Sequence, residues 1–150
     1  MRGIGLTHRG RERSRNEDRF LALIGSEVTL LAVADGMGGH VAGDLASTLA
    51  IEAIERGWSN ITRDITGSGL SDRHIASIVE SLIQEANRII YKQASDDLSK
   101  RGMGTTLTVG LLTGLDLTIG HVGDSRGYLI EDQQISLLTE DHSLLEQMIQ

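Results

Sequence analysis

The stretch VTLLAVADGMGG, residues 28–39, joins an almost wholly apolar run to an aspartate and a glycine-rich turn. The run over residues 28–34 predicts a central β-strand that is buried on both faces and ends at Asp35. A second short apolar segment, residues 19–24, lies just upstream, and Gly-Ser-Glu at residues 25–27 separates the two. This order predicts an antiparallel hairpin.

Two amphipathic helices are predicted downstream of the glycine turn. The first carries a helical stripe and is followed by a polar, aperiodic loop at residues 60–71. Ser71 and Asp72 can cap the second helix, whose stripe runs for over four turns and which should end before Arg101. The two stripes consist of Ala42, Leu45, Ala46, Leu49, Ala53 and Ile54, and of Ile75, Ile78, Val79, Leu82, Ile83, Ala86, Ile89 and Ile90.

The last third of the chain alternates apolar and polar residues with the period of a strand. Residues 106–111 and 115–120 predict two half-buried antiparallel strands joined by a tight turn at residues 113–114. Residues 127–130 and 134–138 predict a further hairpin. Strands and helices in this order indicate an α+β fold with a meandering antiparallel sheet.

Composition and charge exclude several classes of protein. A chain of 150 residues has room for one core, and its 39% hydrophobic content is that of a folded domain. The net charge of −7 disfavours nucleic acid as a partner. The absence of cysteine excludes disulfides and thiolate metal sites. No apolar run is long enough to cross a membrane, and we expect a soluble, cytoplasmic protein.

Acidic residues stand where the two predicted hairpin strands meet. Glu17 and Asp18 precede the first strand, and Asp35 closes the second, so a hairpin can bring them together. Grouped carboxylates without cysteine are ligands for Mg²⁺ or Mn²⁺. The glycine after Asp35 allows the carbonyl of Gly36 to approach a metal as a further ligand. Read alone, Glu17 and Asp18 are more typical of a plain turn, and their partner Asp35 is what favours a metal site.

The glycine loop also suggests a nucleotide-binding module, because a strand, a glycine turn and a helix can cradle phosphate. Val41 occupies the third glycine position of that fingerprint, and no P-loop lysine follows. Asp35 would repel a bare phosphate but would accept one through a metal. Arg13 could grip such a phosphate with its guanidinium, although its neighbours Arg9, Arg11 and Arg15 also fit a solvated basic face.

These residues lie in segments that resemble the metal-dependent serine/threonine phosphatases of type 2C in their bacterial form. The order of the segments is the same, and they cover nearly the whole chain. They are Gly10-x-x-Arg13-x-x-Asn16-Glu17-Asp18, Ala34-Asp35-Gly36-Met37-Gly38-Gly39, Met103-Gly104-Thr105-Thr106, Gly120-His121-Val122-Gly123-Asp124-Ser125-Arg126 and Leu138-Thr139-x-Asp141-His142-Ser143.

The resemblance implies two packed antiparallel sheets flanked by helices and a site with two metal ions, Mn²⁺ or Mg²⁺. A water that bridges the metals would attack the phosphorus of phosphoserine or phosphothreonine directly. Asp35 would be the bridging carboxylate, and Glu17 and the Gly36 carbonyl would complete one metal site. Asp18 would hold metal-bound waters, and Arg13 would grip the phosphate.

The resemblance further implies that Asp124 belongs to a third, weaker metal site. Many eukaryotic members have a histidine directly after the Asp-Gly pair as a proton donor, whereas this chain has Met37, so the general acid is unassigned. His40 is a weak candidate for that role. The substrate would be a phosphorylated protein, with a serine/threonine kinase opposing the enzyme.

The later Asp-Gly and Asp-Asn segments of the family have no counterpart in the sequence, and a last helix that Asp141 could cap is short. We therefore expect residues 1–150 to form one truncated phosphatase-like domain that lacks its C-terminal part. The favoured hypothesis is a protein phosphatase. The alternative is a catalytically impaired, phosphatase-like binding module.

Overall fold

The computed structural model describes residues 1–38, 42–65 and 71–142. Within these residues, two long helices cover one face of a five-stranded antiparallel sheet, and a separate two-stranded sheet follows. The elements are β1 (Asp18–Ile24), β2 (Val28–Met37), α1 (Ala42–Ile65), α2 (Asp72–Asp96), a 3₁₀ turn (Leu98–Lys100), β3 (Gly104–Thr105), β4 (Leu107–Thr113), β5 (Asp116–Val122), β6 (Tyr128–Glu131) and β7 (Gln134–Leu137).

The strand order in the larger sheet is β1-β2-β4-β5, with the short β3 paired to the end of β2. The predicted hairpin of β1 and β2 is confirmed, and β2 is a central strand, flanked by β1 and β4. The hairpins of β4 with β5 and of β6 with β7 are also present. The first of these turns is one residue later than expected, since Thr113 pairs with Asp116 across Gly114 and Leu115.

Strand β2 is longer than the sequence suggested. We expected it to end at Asp35, before a glycine turn, but it continues through Gly36 to Met37. The extension exists because β3 supplies a partner, with Gly36 opposite Thr105 and Met37 opposite Gly104. Asp35 is therefore part of a hydrogen-bonded strand. Residues 39–41 of the predicted glycine turn and helix start lie outside the described residues.

The expectation that β2 is buried on both faces is wrong for the described part of the chain. From Leu30 to Met37 its residues alternate between buried and exposed, and Leu31 and Val33 on the open side are 42% and 46% exposed. The reason is that both helices pack on one side of the sheet, against residues such as Leu30 and Val109. No helix or strand of the described residues covers the other side, where Gly3 and Gly5 lie against Ile24 and Phe20 of β1.

The core lies between the helices and the covered face of the sheet. Helix α1 approaches the sheet closely because its inward side consists mainly of small residues, and α2 packs its predicted apolar stripe against α1 and β5. The fully buried side chains of largest volume are Leu30, Ile54, Leu111, Val79, Val109 and Ser47.

The C-terminal end of α1 differs from the prediction. Helix α1 continues to Ile65, although residues 60–65 were expected in a loop. Apolar residues at positions 54, 58, 61 and 65 of the sequence keep a helical spacing through this polar stretch. Ser71 is the N-cap residue of α2, but its side chain makes no capping hydrogen bond.

None of the described helices combines the length and hydrophobicity needed to span a membrane.

Replacement of Leu30 and of its neighbour Leu31 by alanine tests which face of β2 is covered. Leu30→Ala should lower the free energy of unfolding by about 2–5 kcal/mol, because Leu30 is fully buried under the helices. Leu31→Ala should cost about 1 kcal/mol or less. Urea denaturation of the 150-residue chain measures both, and equal losses would contradict a one-sided core.

Candidate active site at the end of the central hairpin

Two aspartates lie side by side where the central hairpin opens. Asp18 is the first residue of β1, and the antiparallel register places it directly opposite Asp35 of β2. Asp35 is on the open side of β2, together with Leu31 and Val33. The structure thus brings together two of the predicted site residues, on a surface that a ligand can reach.

The electrostatics of Asp35 reflect this crowding of carboxylates. Partial burial raises the pKa of Asp35 above its ordinary value, and the hydrogen-bonded Asp18 carboxyl group raises it further. The Arg13 guanidinium opposes these effects and lowers the pKa of Asp35, and the Asp124 carboxylate raises it. Negative charge therefore accumulates around Asp35, and a cation at this place would stabilise the ionised carboxylates.

Glu17 and Gly36, the other predicted metal ligands on the hairpin, face a common point beside the first turn of α1. The Gly36 amide donates to the Glu17 carbonyl at 3.2 Å. A Cβ atom on Gly43 would lie 2.8 Å from Glu17 Oε2 and 3.0 Å from the Gly36 carbonyl oxygen. Only glycine at position 43 leaves room for this pair of oxygens.

Sequence reasoning missed an ion pair that holds this corner together. The Arg19 guanidinium pairs with Asp44 in the first turn of α1. It also donates to the carbonyl oxygens of Asn16 and Asp18, at 3.1 and 2.8 Å. Arg19 therefore fixes the backbone of the acidic segment against α1, and no sequence spacing indicated a pairing across 25 residues.

The backbone of Asp35 is held by two threonines. Its amide donates to Thr106 Oγ1 at 3.0 Å, and its carbonyl oxygen accepts from the Thr106 amide and from Thr105 Oγ1, both at 2.9 Å. The same Thr106 hydroxyl is hydrogen-bonded to Ser125 Oγ at 2.7 Å. The segment containing these threonines was recognised only as a family motif, without a role.

The turn that carries Asp124 packs on the same threonine. Gly123 has a φ of +107°, and a Cβ atom there would lie 2.6 Å from Thr106 Cγ2. Only glycine suits both the backbone conformation and this close contact. Thr106 thus connects the end of β2 to the turn at Asp124 and Ser125, so that a third segment of the chain reaches the site.

The segment after β7 folds back on this turn. The amide of His142 donates to the Gly123 carbonyl at 2.7 Å, and Arg126 makes a bidentate ion pair with Asp141, from Nε to Oδ1 and from Nη2 to Oδ2. Asp141 is predicted to cap a last helix, and the structure shows its carboxylate paired with Arg126. The predicted helix over residues 144–149 lies outside the described residues.

The loop with Arg13 borders the site on a third side. Asn16 closes the loop by donating from its side chain to Thr7 Oγ1 at 2.7 Å and by accepting from the Asp18 amide at 3.1 Å. A cleft of about 330 Å³ lies between this loop and the sheet, and its walls include Thr7, Asp18 and Asp35. The Arg13 guanidinium is near enough to this cleft to lower the pKa of Asp35.

The donor chemistry fits a hard divalent cation. All the predicted ligands are oxygens, and Mg²⁺ commonly takes one or two carboxylates together with waters and phosphate oxygens. In the described ranges, no group of three or more acidic, histidine or cysteine side chains converges closely enough to hold a metal by itself. The centre of the candidate metal site is therefore the Asp18–Asp35 pair. Glu17 and the Gly36 carbonyl lie on one side of this pair, and Asp124 lies on another.

The fold and the site define an α+β domain with a carboxylate pair at the open end of its central hairpin. The sequence model of the protein phosphatase 2C family matches residues 4–146. The chain belongs to the protein phosphatase 2C family, which confirms the resemblance seen in its motifs.

Individual relatives agree with this assignment. The serine/threonine phosphatase stp of Listeria innocua is 38% identical over 144 residues, which are 95% of this chain and 55% of that protein. The structure of the S. agalactiae serine/threonine phosphatase matches with a TM-score of 0.81 and 32% identity, over 96% of this chain and 57% of that one. The catalytic domain of the phosphatase PstP, solved in complex with two manganese ions, matches with a TM-score of 0.76, 34% identity and coverages of 96% and 57%.

The chain spans about half the length of the curated relatives it matches. The expected fold class, an α+β arrangement of the type 2C phosphatases, is confirmed by these structural neighbours. The described residues contribute the sheet, its two helices and the separate hairpin of that fold.

Replacing Thr106 by valine tests whether its hydroxyl holds Asp35 in place. Thr106→Val keeps the shape but leaves the Asp35 amide without its acceptor, so the free energy of unfolding should fall by about 1–3 kcal/mol. The Asp35 amide should also exchange faster with deuterated water. Thr106→Ser retains the hydroxyl and should restore most of the amide's protection; equal exchange in both variants would contradict this role.

Proposed function

We propose that this site is part of the active centre of a metal-dependent protein phosphatase that hydrolyses phosphoserine and phosphothreonine. The observation that carries the proposal is the register pair of Asp18 and Asp35, faced by the Arg13 charge, in a chain of the protein phosphatase 2C family. The named relatives are serine/threonine phosphatases, which supports a phosphorylated protein as substrate and a serine/threonine kinase as the opposing enzyme.

Two divalent cations, Mn²⁺ or Mg²⁺, are the proposed cofactors. Asp35 would be a ligand of both ions, as the resemblance to the type 2C phosphatases implies. Glu17 and the Gly36 carbonyl would hold one of them, and their approach to a common point beside Gly43 supports that grouping. Asp18 would accept hydrogen bonds from waters at the site, and Asp124 would serve a third, weaker ion.

When bound, the cations would supply an acidified water at neutral pH and would offset the charge of the phosphoryl group. The residues of the chain orient the reactants. The hydrogen bonds of Thr105 and Thr106 to the Asp35 backbone hold this residue in place within β2, opposite Asp18. Arg13 would bind the phosphate oxygens and hold the phosphorus in line for attack, since a guanidinium fits two such oxygens at once.

The substitution Asp35→Asn in the protein expressed from the complete open reading frame tests the metal assignment. Phosphopeptide hydrolysis with Mn²⁺ should fall at least ~100-fold, because a neutral amide is a poor ligand for a hard cation. Manganese titration by calorimetry should show weaker binding. Asp116→Asn, at the exposed start of β5, is the control and should change neither quantity.

Full turnover by Asp35→Asn would refute the assignment. If the unaltered protein binds phosphopeptide without hydrolysing it at any concentration of Mn²⁺ or Mg²⁺, the alternative of a phosphatase-like binding module replaces the proposal. Comparing both metals in the same assay also identifies the preferred ion.

The substitution Arg13→Ala tests the phosphate-binding role. KM for a phosphopeptide should rise about 10- to 100-fold, as expected for losing a bidentate hydrogen bond to an anion. Manganese affinity should not weaken, because the guanidinium repels cations. Arg13→Lys keeps the charge and should recover part of the loss, and Arg73→Ala on α2 controls for a general change of charge. A weaker manganese affinity with unchanged KM would reverse the assignment.

A further inference from the structure

The positive charge of this acidic chain is concentrated beside the proposed active site. The first 15 residues contain five arginines and one glutamate, whereas the other 135 residues contain nine basic and 20 acidic residues. Three of these arginines, Arg9, Arg11 and Arg15, flank Arg13 and are exposed. We refer to these three as the arginine loop.

The arginine loop differs in its pairing from four other arginines among the described residues. Arg19 and Arg126 each form an ion pair with an aspartate, and arginines on both long helices pair with glutamates one turn away. No side chain of the arginine loop lies within 4.0 Å of an acidic group of the described residues. Its charges are therefore available to a ligand.

The position of the loop connects it to the cleft. The segment that carries these arginines is closed by the hydrogen bond of Asn16 to Thr7, and Thr7 and His8 form part of the cleft wall together with Asp35. Arg13, which lies between Arg11 and Arg15 in the sequence, is close enough to Asp35 to lower the pKa of that carboxyl group. A peptide whose phosphoryl group lies at Arg13 and Asp35 would extend its neighbouring residues along the arginine loop.

We propose that the arginine loop binds acidic side chains next to the phosphorylated residue, so that the preferred substrates are phosphopeptides rich in aspartate and glutamate. This inference rests on the proposed function. A guanidinium matches a carboxylate in a bidentate pair, and at physiological salt such attraction acts over about 8 Å, which limits the effect to residues near the phosphate. The acidic remainder of the chain opposes binding of long polyanions.

The experiment compares two phosphothreonine peptides of equal length, one flanked by Asp and Glu and the other by Asn and Gln. At low salt, KM and the dissociation constant from fluorescence anisotropy should be ~10-fold lower for the acidic peptide. Each exposed ion pair adds little to the binding free energy, but three such pairs act together. The preference should shrink as salt is raised. Arg9→Gln/Arg11→Gln/Arg15→Gln should reduce it to about twofold or less.

A matched control removes the same charge elsewhere. Arg56→Gln/Arg73→Gln/Arg88→Gln alters three arginines of the two long helices and should keep the full preference. The reversed triple variant, Arg9→Glu/Arg11→Glu/Arg15→Glu, should prefer a lysine-flanked phosphopeptide. If Arg9→Gln/Arg11→Gln/Arg15→Gln prefers the acidic peptide as strongly as the unaltered protein does, the inference is overturned. Tighter binding of a single-stranded oligonucleotide than of the acidic peptide would also overturn it.

A substrate without flanking residues distinguishes failure of the proposed function from failure of the arginine-loop proposal. If the unaltered protein does not hydrolyse p-nitrophenyl phosphate with Mn²⁺, the phosphatase assignment fails, and anisotropy still measures whether acidic peptides are preferred. If it hydrolyses that substrate but binds both peptides equally, the phosphatase assignment stands and the role of the arginine loop is refuted.

Discussion

The antiparallel pairing of β1 with β2 is the constraint on which the other features depend. It places Asp18 opposite Asp35 and sets the backbone contact of Glu17 with Gly36. It also decides which side of β2 faces the helices. Backbone hydrogen bonds between the strands thus hold together carboxylates that repel one another, and the energy that assembles the site comes from the sheet and the core beneath it.

Thr106 extends this constraint to parts of the chain that are remote in sequence. A single hydroxyl is hydrogen-bonded to the Asp35 amide and to Ser125, and the methyl group beside it contacts Gly123. Thr106 is consequently one of the contacts that set the position of Asp124 relative to Asp35, together with the pairing of β4 with β5. Buried side chains that bridge segments in this way give a site its precision.

Local patterns predicted much of the fold, and they failed where a distant partner decided the outcome. The hairpin of β1 and β2 and the stripe of α2 follow from periodicity alone. The extension of β2 through Gly36 could not be foreseen, because its partner β3 has two residues and no alternation. The open face of β2 was missed because an apolar run looks the same whether one face or both are covered.

The candidate site was predictable to a different degree. The approach of Asp18 to Asp35 follows from the short turn between the strands, and the family resemblance supplied the roles of Arg13 and Asp124. Neither the local pattern nor the family resemblance indicated the Arg19–Asp44 ion pair. The two residues are 25 positions apart, one in a strand and the other in the first turn of a helix, and no sequence pattern connects them.

The pleat of β2 has a consequence for how this gene can vary. Successive residues of the strand point to opposite sides, so Asp35 lies on the ligand side only because Ala34 lies on the core side. Deleting or inserting one residue within the strand would exchange the two and bury a charge. Single substitutions in β2 preserve this arrangement. Each core position of the strand, however, has to remain an odd number of residues away from Asp35.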